Sequence, residues 1–197
     1  MNYLAHAYLS FNQPEVVVGN IISDYIKGKK QYDYPLSIQK GIRLHRAIDI
    51  FTDNHPAVKQ AKQYLKPAVG LYAGAFIDIT FDHYLALDTL CFNTPEALAA
   101  FAENTYQALE DYQEWFPESF KKIFPYMKQN NWLYNYQFNW GIEKSFANIA
   151  RRATYLTSAE ECFKLWEENY EAIHQLYKSF FPELKEYSFN YLNRVIK

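Results

Sequence analysis

The sequence predicts an all-α fold, and three observations carry it. Apolar residues recur at three- and four-residue spacing along almost the whole chain. The strict apolar–polar alternation of a half-buried strand is scarce. Glycine totals six in 197 residues. With 49% hydrophobic and 19% aromatic residues, the chain can bury a sizeable core. No Gly-, Ser- or Pro-rich linker, internal repeat or low-complexity tract divides it, so a single compact multi-helix domain over residues 1–197 is expected.

About eight helices are predicted. The first covers residues 2–10. Pro14 opens the second, which runs to Lys27 and stops at Gly28, because proline suits a first helical turn and glycine a helix end. Lys29 to Tyr34 form a loop, and Pro35 precedes a third helix ending near Asp53-Asn54. Pro56 starts a fourth that ends before Pro67, and a fifth follows over residues 73–88. Thr94-Pro95 starts a helix of some twenty residues ending at Phe116-Pro117. Residues 117–140 hold shorter helices rich in Trp and Tyr. A helix near Gly141 to Tyr155 precedes Ser158-Ala-Glu-Glu161, a capping box that introduces a long helix to Phe181, and Pro182 separates this from the last.

Charge and composition exclude some functions. A net charge of -2 gives no reason to expect nucleic acid as a partner. Residues 1–66 carry nine Lys or Arg against five Asp or Glu, and the remainder eleven against seventeen. The basic N-terminal third either faces an acidic partner or is ordinary surface charge. Cys91 and Cys162 form no metal-ligand pair and read as buried thiols in a reducing compartment. The N-terminus lacks the basic and apolar regions of a signal peptide. Asp78 interrupts the longest apolar stretch, so nothing reaches the ~18 residues of a membrane span. A soluble, cytoplasmic protein is expected, and the sequence leaves its oligomeric state open.

The fifth helix points to chemistry. Asp78 and Asp82 sit one turn apart among Phe76, Ile77, Ile79, Phe81 and Leu85. A carboxylate buried there costs several kcal/mol unless something positive neutralises it. The segment has no Lys or Arg, so the charge must come from elsewhere in the fold or from a bound cation. On the third helix His45 and Asp49 are four residues apart. Such a carboxylate either orients a metal-binding histidine or makes a plain intrahelical contact. Asp24, near the end of the second helix and one turn past Asn20, lies at the wrong end for a carboxylate. His6 is flanked by small and apolar residues, where a satisfied core histidine is the ordinary reading. Taken together, His6, Asp24, His45, Asp49, Asp78, Asp82 and His83 fall on four helices within the first 83 residues. A His and carboxylate set without cysteine suits Mn²⁺, Mg²⁺ or Fe²⁺ better than structural zinc, and helical bundles build such sites from facing side chains. His55 and His174 lie outside the pattern.

The ordered set Asn2-Tyr-Leu-Ala-His6, Gly19-Asn20 with Asp24, His45-Arg46 with Asp49, Thr52-Asp53-Asn54, and Asp78 with Asp82-His83 resembles the bacterial acyl carrier protein phosphodiesterases, a divergent branch of the HD-type metal phosphohydrolases. The similarity continues through Trp132-Leu133 and Ala150-Arg151-Arg152 to Phe181-Pro182. It implies an HD-like all-α fold and a divalent-metal phosphodiesterase, Mn²⁺ first among the metals. The family reaction removes 4′-phosphopantetheine from a serine of holo acyl carrier protein and leaves the apo form. This chain departs at His55, at Ala47 where a second arginine can occur, and over the weakly matched residues 117–140.

On this resemblance, Asp24, His45, Asp78 and Asp82 are expected as metal ligands. Asp49 would orient His45, while His6 or His83 completes the coordination or moves a proton. Arg46, Arg151 and Arg152 are candidates for bidentate phosphate contact. Lys27, Lys29 and Lys30 would border the metal and attract the acidic carrier protein, raising the encounter rate more than the affinity. Two other functions fit the same residues. One is an HD-type enzyme acting on a nucleotide or another small phosphoester. The other is a non-catalytic helical protein binding an acidic partner, in which the buried acids pair with Arg43, Arg46 or Arg152.

Overall fold

The computed structural model describes residues 1–156 and 158–195, and among them every regular element is helical. The order is α1 (Tyr3–Tyr8), α2 (Pro14–Ile22), α3 (Leu36–Asn54), α4 (Pro56–Val69), α5 (Ala73–Leu87), α6 (Pro95–Asp111), α7 (Glu118–Gln129), α8 (Trp132–Asn135), α9 (Asn139–Arg152), α10 (Glu160–Glu168) and α11 (Tyr170–Val195). Short 3₁₀ turns at Ser23–Tyr25, Gly28–Asp33, Gly70–Tyr72 and Gln113–Trp115 link several of them. The expected all-α fold is what the structure has. No helix among the described residues is long and apolar enough to cross a membrane.

Local chemistry explains the boundaries that match. Pro35 precedes α3, and Pro56 and Pro95 occupy the first turns of α4 and α6. Thr94 accepts a hydrogen bond from the Ala97 backbone N–H, capping α6. Two expected proline breaks do not occur. α4 runs through Pro67 to Val69 and ends at Gly70, whose φ of 55° is left-handed. α11 runs through Pro182. Each proline costs its helix one hydrogen bond. The carbonyls this frees, on Gln63 and Lys178, belong to exposed residues that water can reach, while Leu65, Val69, Phe181 and Leu184 stay buried on the opposite faces. The long C-terminal helix breaks instead at Asn169, between α10 and α11. The capping box is also incomplete. Ser158 accepts from the Glu160 backbone N–H, but the cap position is Ala159.

The packing that matters for function is that of α2 on α3. A Cβ on Gly19 would collide with the carbonyl oxygen of Ile38, and one on Gly41 with that of Val16. The paired glycines let the two helices meet backbone to backbone. α2 ends five residues earlier than expected, tightening into the 3₁₀ turn at Ser23–Tyr25 before the chain extends at Ile26. That turn sets Asp24 beside α3.

Candidate functional site

The site is built on α1, α2 and α3. Asn20, fully buried in α2, is its hub. Its side-chain Nδ2 donates to the His6 carbonyl (2.8 Å) and to Ser10 Oγ (3.0 Å), so its Oδ1 faces His6 and accepts from His6 Nδ1 at 2.8 Å. The Asn20 backbone carbonyl, reachable because α2 and α3 touch, accepts from His45 Nδ1 at 2.7 Å. Both acceptors are oxygens without protons, so both histidines carry hydrogen on Nδ1. The rings stack with centroids 4.0 Å apart, and both Nε2 atoms converge on acids. His6 Nε2 lies 3.4 Å from Asp49 Oδ1. His45 Nε2 lies 3.1 Å from Asp49 Oδ2 and 3.0 Å from Asp24 Oδ1.

Lone pairs on two imidazole nitrogens and two carboxylates therefore point at one another. Such a group needs something positive between its members, either a proton or a metal ion. The titration behaviour agrees. Burial alone would lower the His45 pKa, but hydrogen bonds to Asp24 and Asp49 raise it to about 9. His6 moves the other way, through burial and then the charge of His45 beside it. A proton taken up by the stacked pair is favoured on His45 over His6. Asp24 is held low by its bond to His45, and Asp49 by its bonds to both rings despite burial. Ligand atoms of His6, His45 and Asp49 all lie within 4.8 Å of one another, a spacing that suits one metal ion. Asp24, with 72% of its side chain accessible, sits at the mouth.

The remaining expected site residues make other contacts. Asp78 accepts from the Met1 ammonium at 2.7 Å, and Asp82 accepts from the backbone N–H of Asn2 (3.0 Å) and Leu4 (2.7 Å). The positive charge demanded by α5 thus comes from the fold itself. Asp82 also satisfies the first-turn donors of α1, which has no side-chain cap of its own. Burial raises the pKa of both acids, that of Asp82 to about 7, against the pull of the ammonium. Asp78 and Asp82, expected as metal ligands with Asp24 and His45, here tie down the N-terminal segment, while the ligand atoms that lie within 4.8 Å of one another are those of His6, His45 and Asp49. His83 is also separate. Its Nδ1 faces the Tyr136 carbonyl at 2.7 Å and its Nε2 the Tyr170 hydroxyl at 2.9 Å, in a nest of Tyr84, Trp166 and Tyr170 rings.

The basic residues divide similarly. Arg46 donates to Gln31 Oε1 (3.0 Å) and the Ile26 carbonyl (3.3 Å), pinning the lysine-bearing turn to α3. Lys27, Lys29 and Lys30 are exposed on that turn, within six residues of Asp24. Arg151 and Arg152 are exposed at the end of α9. Arg43 donates to Gln39. Among the described residues none of these arginines pairs with Asp24, Asp49, Asp78 or Asp82, which removes the premise of the non-catalytic reading. Sequence reasoning missed the roles of Asn20 and the Met1 ammonium. A buried asparagine in the apolar run Val16 to Ile22 was the available signal for the first.

The chain matches a family model described as acyl carrier protein phosphodiesterase over residues 1–184. It is similar to proteins called acyl carrier protein phosphodiesterase from Photorhabdus laumondii (29% identical over 186 residues, 94% of each chain) and Pectobacterium atrosepticum (29% over 186 residues, 94% of this chain and 96% of the relative). The Yersinia pestis protein of that name is 28% identical over 186 residues, covering 93% of this chain and 95% of its own. No solved structure gives a significant match.

Proposed function

Because this chain belongs to the acyl carrier protein phosphodiesterase family, we propose that it is a metal-dependent hydrolase that removes 4′-phosphopantetheine from holo acyl carrier protein. The observation that carries the reading is the convergence of His6 Nε2, His45 Nε2, Asp49 and Asp24, with each Nδ1 fixed by Asn20. This donor set fits a divalent cation of the Mn²⁺, Mg²⁺ or Fe²⁺ kind, with nitrogen and oxygen ligands and no thiolate. When bound, such a cation supplies charge stabilisation at phosphoryl oxygens and lowers the pKa of a water.

The chain's own residues do the rest. Asn20 holds both imidazoles in the tautomer that leaves Nε2 free. Asp24, being accessible, meets the substrate side of the site. In the reaction water adds to phosphorus and the bond from phosphorus to the serine oxygen breaks. The serine oxygen leaves as a strong base and must take up a proton. The accessible Asp24 carboxylate would take the proton that the adding water gives up and pass it to that oxygen, whereas His83 is walled in by aromatic rings. The exposed Lys27, Lys29 and Lys30 supply the positive surface that an acidic carrier protein would meet, and Arg46 holds that surface next to the site.

The test is conversion of holo to apo carrier protein, read by mass, with protein stripped of metal and then given Mn²⁺. Turnover restored by Mn²⁺ and weakened by rising salt is the expected result. A fully loaded protein that leaves the carrier intact but cleaves small phosphoesters would replace this substrate with the HD-type alternative.

A further inference from the structure

The wall of the site beside Asp24 is formed by two phenols. Tyr3 lies on α1, one turn before His6, and Tyr25 follows Asp24 directly in its 3₁₀ turn. Their hydroxyl oxygens are 2.7 Å apart. Each ring is held from behind, Tyr3 by Trp132 (centroids 6.1 Å apart) and Tyr25 by Phe120 (5.3 Å). Two hydroxyls carry two protons, and the bond between them uses one. Whichever phenol donates to the other, the acceptor keeps an O–H with no further partner among the described residues.

Arg152 completes the arrangement. Its Nε donates to the Asn148 carbonyl at 3.2 Å, and its charge acts on both phenol oxygens, as does that of Asp24. The terminal nitrogens of its guanidinium have no hydrogen-bond partner among the described residues. One side of the site thus presents the carboxylates of Asp24 and Asp49, and beside Asp24 the phenol pair and Arg152 keep donors to spare. A phosphodiester has two non-bridging oxygens, and a cation held by the acceptors would not need both.

We propose that the Tyr3–Tyr25 hydroxyl pair, with Arg152, binds a non-bridging phosphoryl oxygen of the substrate. The inference rests on the phosphodiesterase reading and adds to it a set of substrate-contacting residues that belong to no metal-binding group. The shared hydrogen bond leaves one O–H of the pair free to donate, and the rings packed against Trp132 and Phe120 hold it in position. Arg152 supplies the formal charge.

The variants are Tyr3→Phe, Tyr25→Phe, the double Tyr3→Phe/Tyr25→Phe, Arg152→Ala and Arg152→Lys. Each single phenylalanine leaves one hydroxyl able to donate, so its effect should be small. The double variant should lose about 10- to 100-fold in kcat/KM on holo carrier protein, as expected for a bond to a charged oxygen. Calorimetry should record a similar loss in affinity for 4′-phosphopantetheine and an unchanged Kd for Mn²⁺. Arg152→Ala lies on an exposed helix end, so it tests the site even if the double variant does not fold, and Arg152→Lys should recover part of its loss. If the wild type turns over and the double and Arg152→Ala variants match it in kcat/KM and in 4′-phosphopantetheine affinity, the proposal is wrong. It is equally wrong if the losses appear only together with weaker Mn²⁺ binding. A wild type that binds 4′-phosphopantetheine through these residues yet cleaves no carrier protein overturns the function and leaves the oxygen-binding pair standing.

Discussion

Two pairs of aspartates meet opposite fates. Asp24 and Asp49 face imidazole nitrogens, and both are held below the ordinary carboxylate range. Asp78 and Asp82 face the Met1 ammonium and the first backbone N–H groups of α1, and burial pushes both upward. The difference lies in what the partner can give up. An ammonium or an amide N–H on the backbone is a permanent donor, so α5 forms a structural clamp. An imidazole Nε2 can exchange its proton for a metal ion, so the α3 group keeps a replaceable cation. Burial of an acid therefore marks a need for charge, while the partner decides between architecture and chemistry.

The largest expected effect breaks the chemical half of this comparison. Asp49→Ala removes the one carboxylate that both histidines face. The metal should no longer be retained after gel filtration, and turnover should fall about a thousandfold or more, as loss of metal-based charge stabilisation requires. Helicity by circular dichroism should be unchanged. Retained metal with wild-type turnover would transfer the site to other residues.

Asp82→Ala should break the structural half. It strands the N–H groups of Asn2 and Leu4, and one unpaired buried donor costs about 1–3 kcal/mol. Urea unfolding should record a loss of about 3 kcal/mol. Any fall in Mn²⁺ affinity should be smaller than in Asp49→Ala, because Asp82 bonds the α1 backbone and is not among the ligand atoms of His6, His45 and Asp49 that lie within 4.8 Å of one another. Equal losses of metal in the two variants would mean that α5 ligates the ion after all.

Titration sharpens the contrast through two histidines of opposite sign. The His45 pKa is raised to about 9, above the unfolded value. The stability it contributes to metal-free protein is complete below pH 6.5 and is lost as pH rises through 9. The His83 pKa is lowered to about 4, chiefly by burial. Its contribution is complete above pH 6.5 and is lost as pH falls toward 4. Each shift corresponds to about 3 kcal/mol. Unfolding measured across pH 4–9.5 in chelator should decline at both ends. Mn²⁺ should abolish the alkaline decline, because the ion takes the place of the His45 proton, and leave an acid decline in place, to which His6, also lowered to about 4, contributes beside His83.

How much of this the sequence disclosed follows the range of the interactions. The limits of α3 and the start of α6 were legible because Pro35, Pro56 and Thr94-Pro95 act locally. Pro67 and Pro182 were misread as breaks because burial of Val69, Phe181 and Leu184 outweighs a lost hydrogen bond on the solvent side. The His45–Asp49 spacing and the need for charge near Asp78 were equally readable. The identity of that charge was not, since Met1 and Asp78 are 77 residues apart and only the packing of α1 on α5 joins them. Asn20 as the orienting residue depends on the Gly19–Gly41 contact between helices, which no spacing within one helix reveals.

Asp53 supplies the smallest effect and a control for the comparison. It lies one turn beyond Asp49 on α3, has 71% of its side chain accessible and pairs with Lys62 at 2.9 Å. An exposed ion pair contributes at most about 1 kcal/mol. Asp53→Asn should therefore move the unfolding midpoint only slightly and leave Mn²⁺ affinity at the wild-type value, although the substitution is made on the same helix and in the same residue type as at Asp49. The prediction separates burial from proximity as the cause. If Asp53→Asn lowered metal affinity as Asp49→Ala is expected to, the charge of the α3 surface as a whole would be holding the ion, and the convergence of His6, His45 and Asp49 would not be the determining feature.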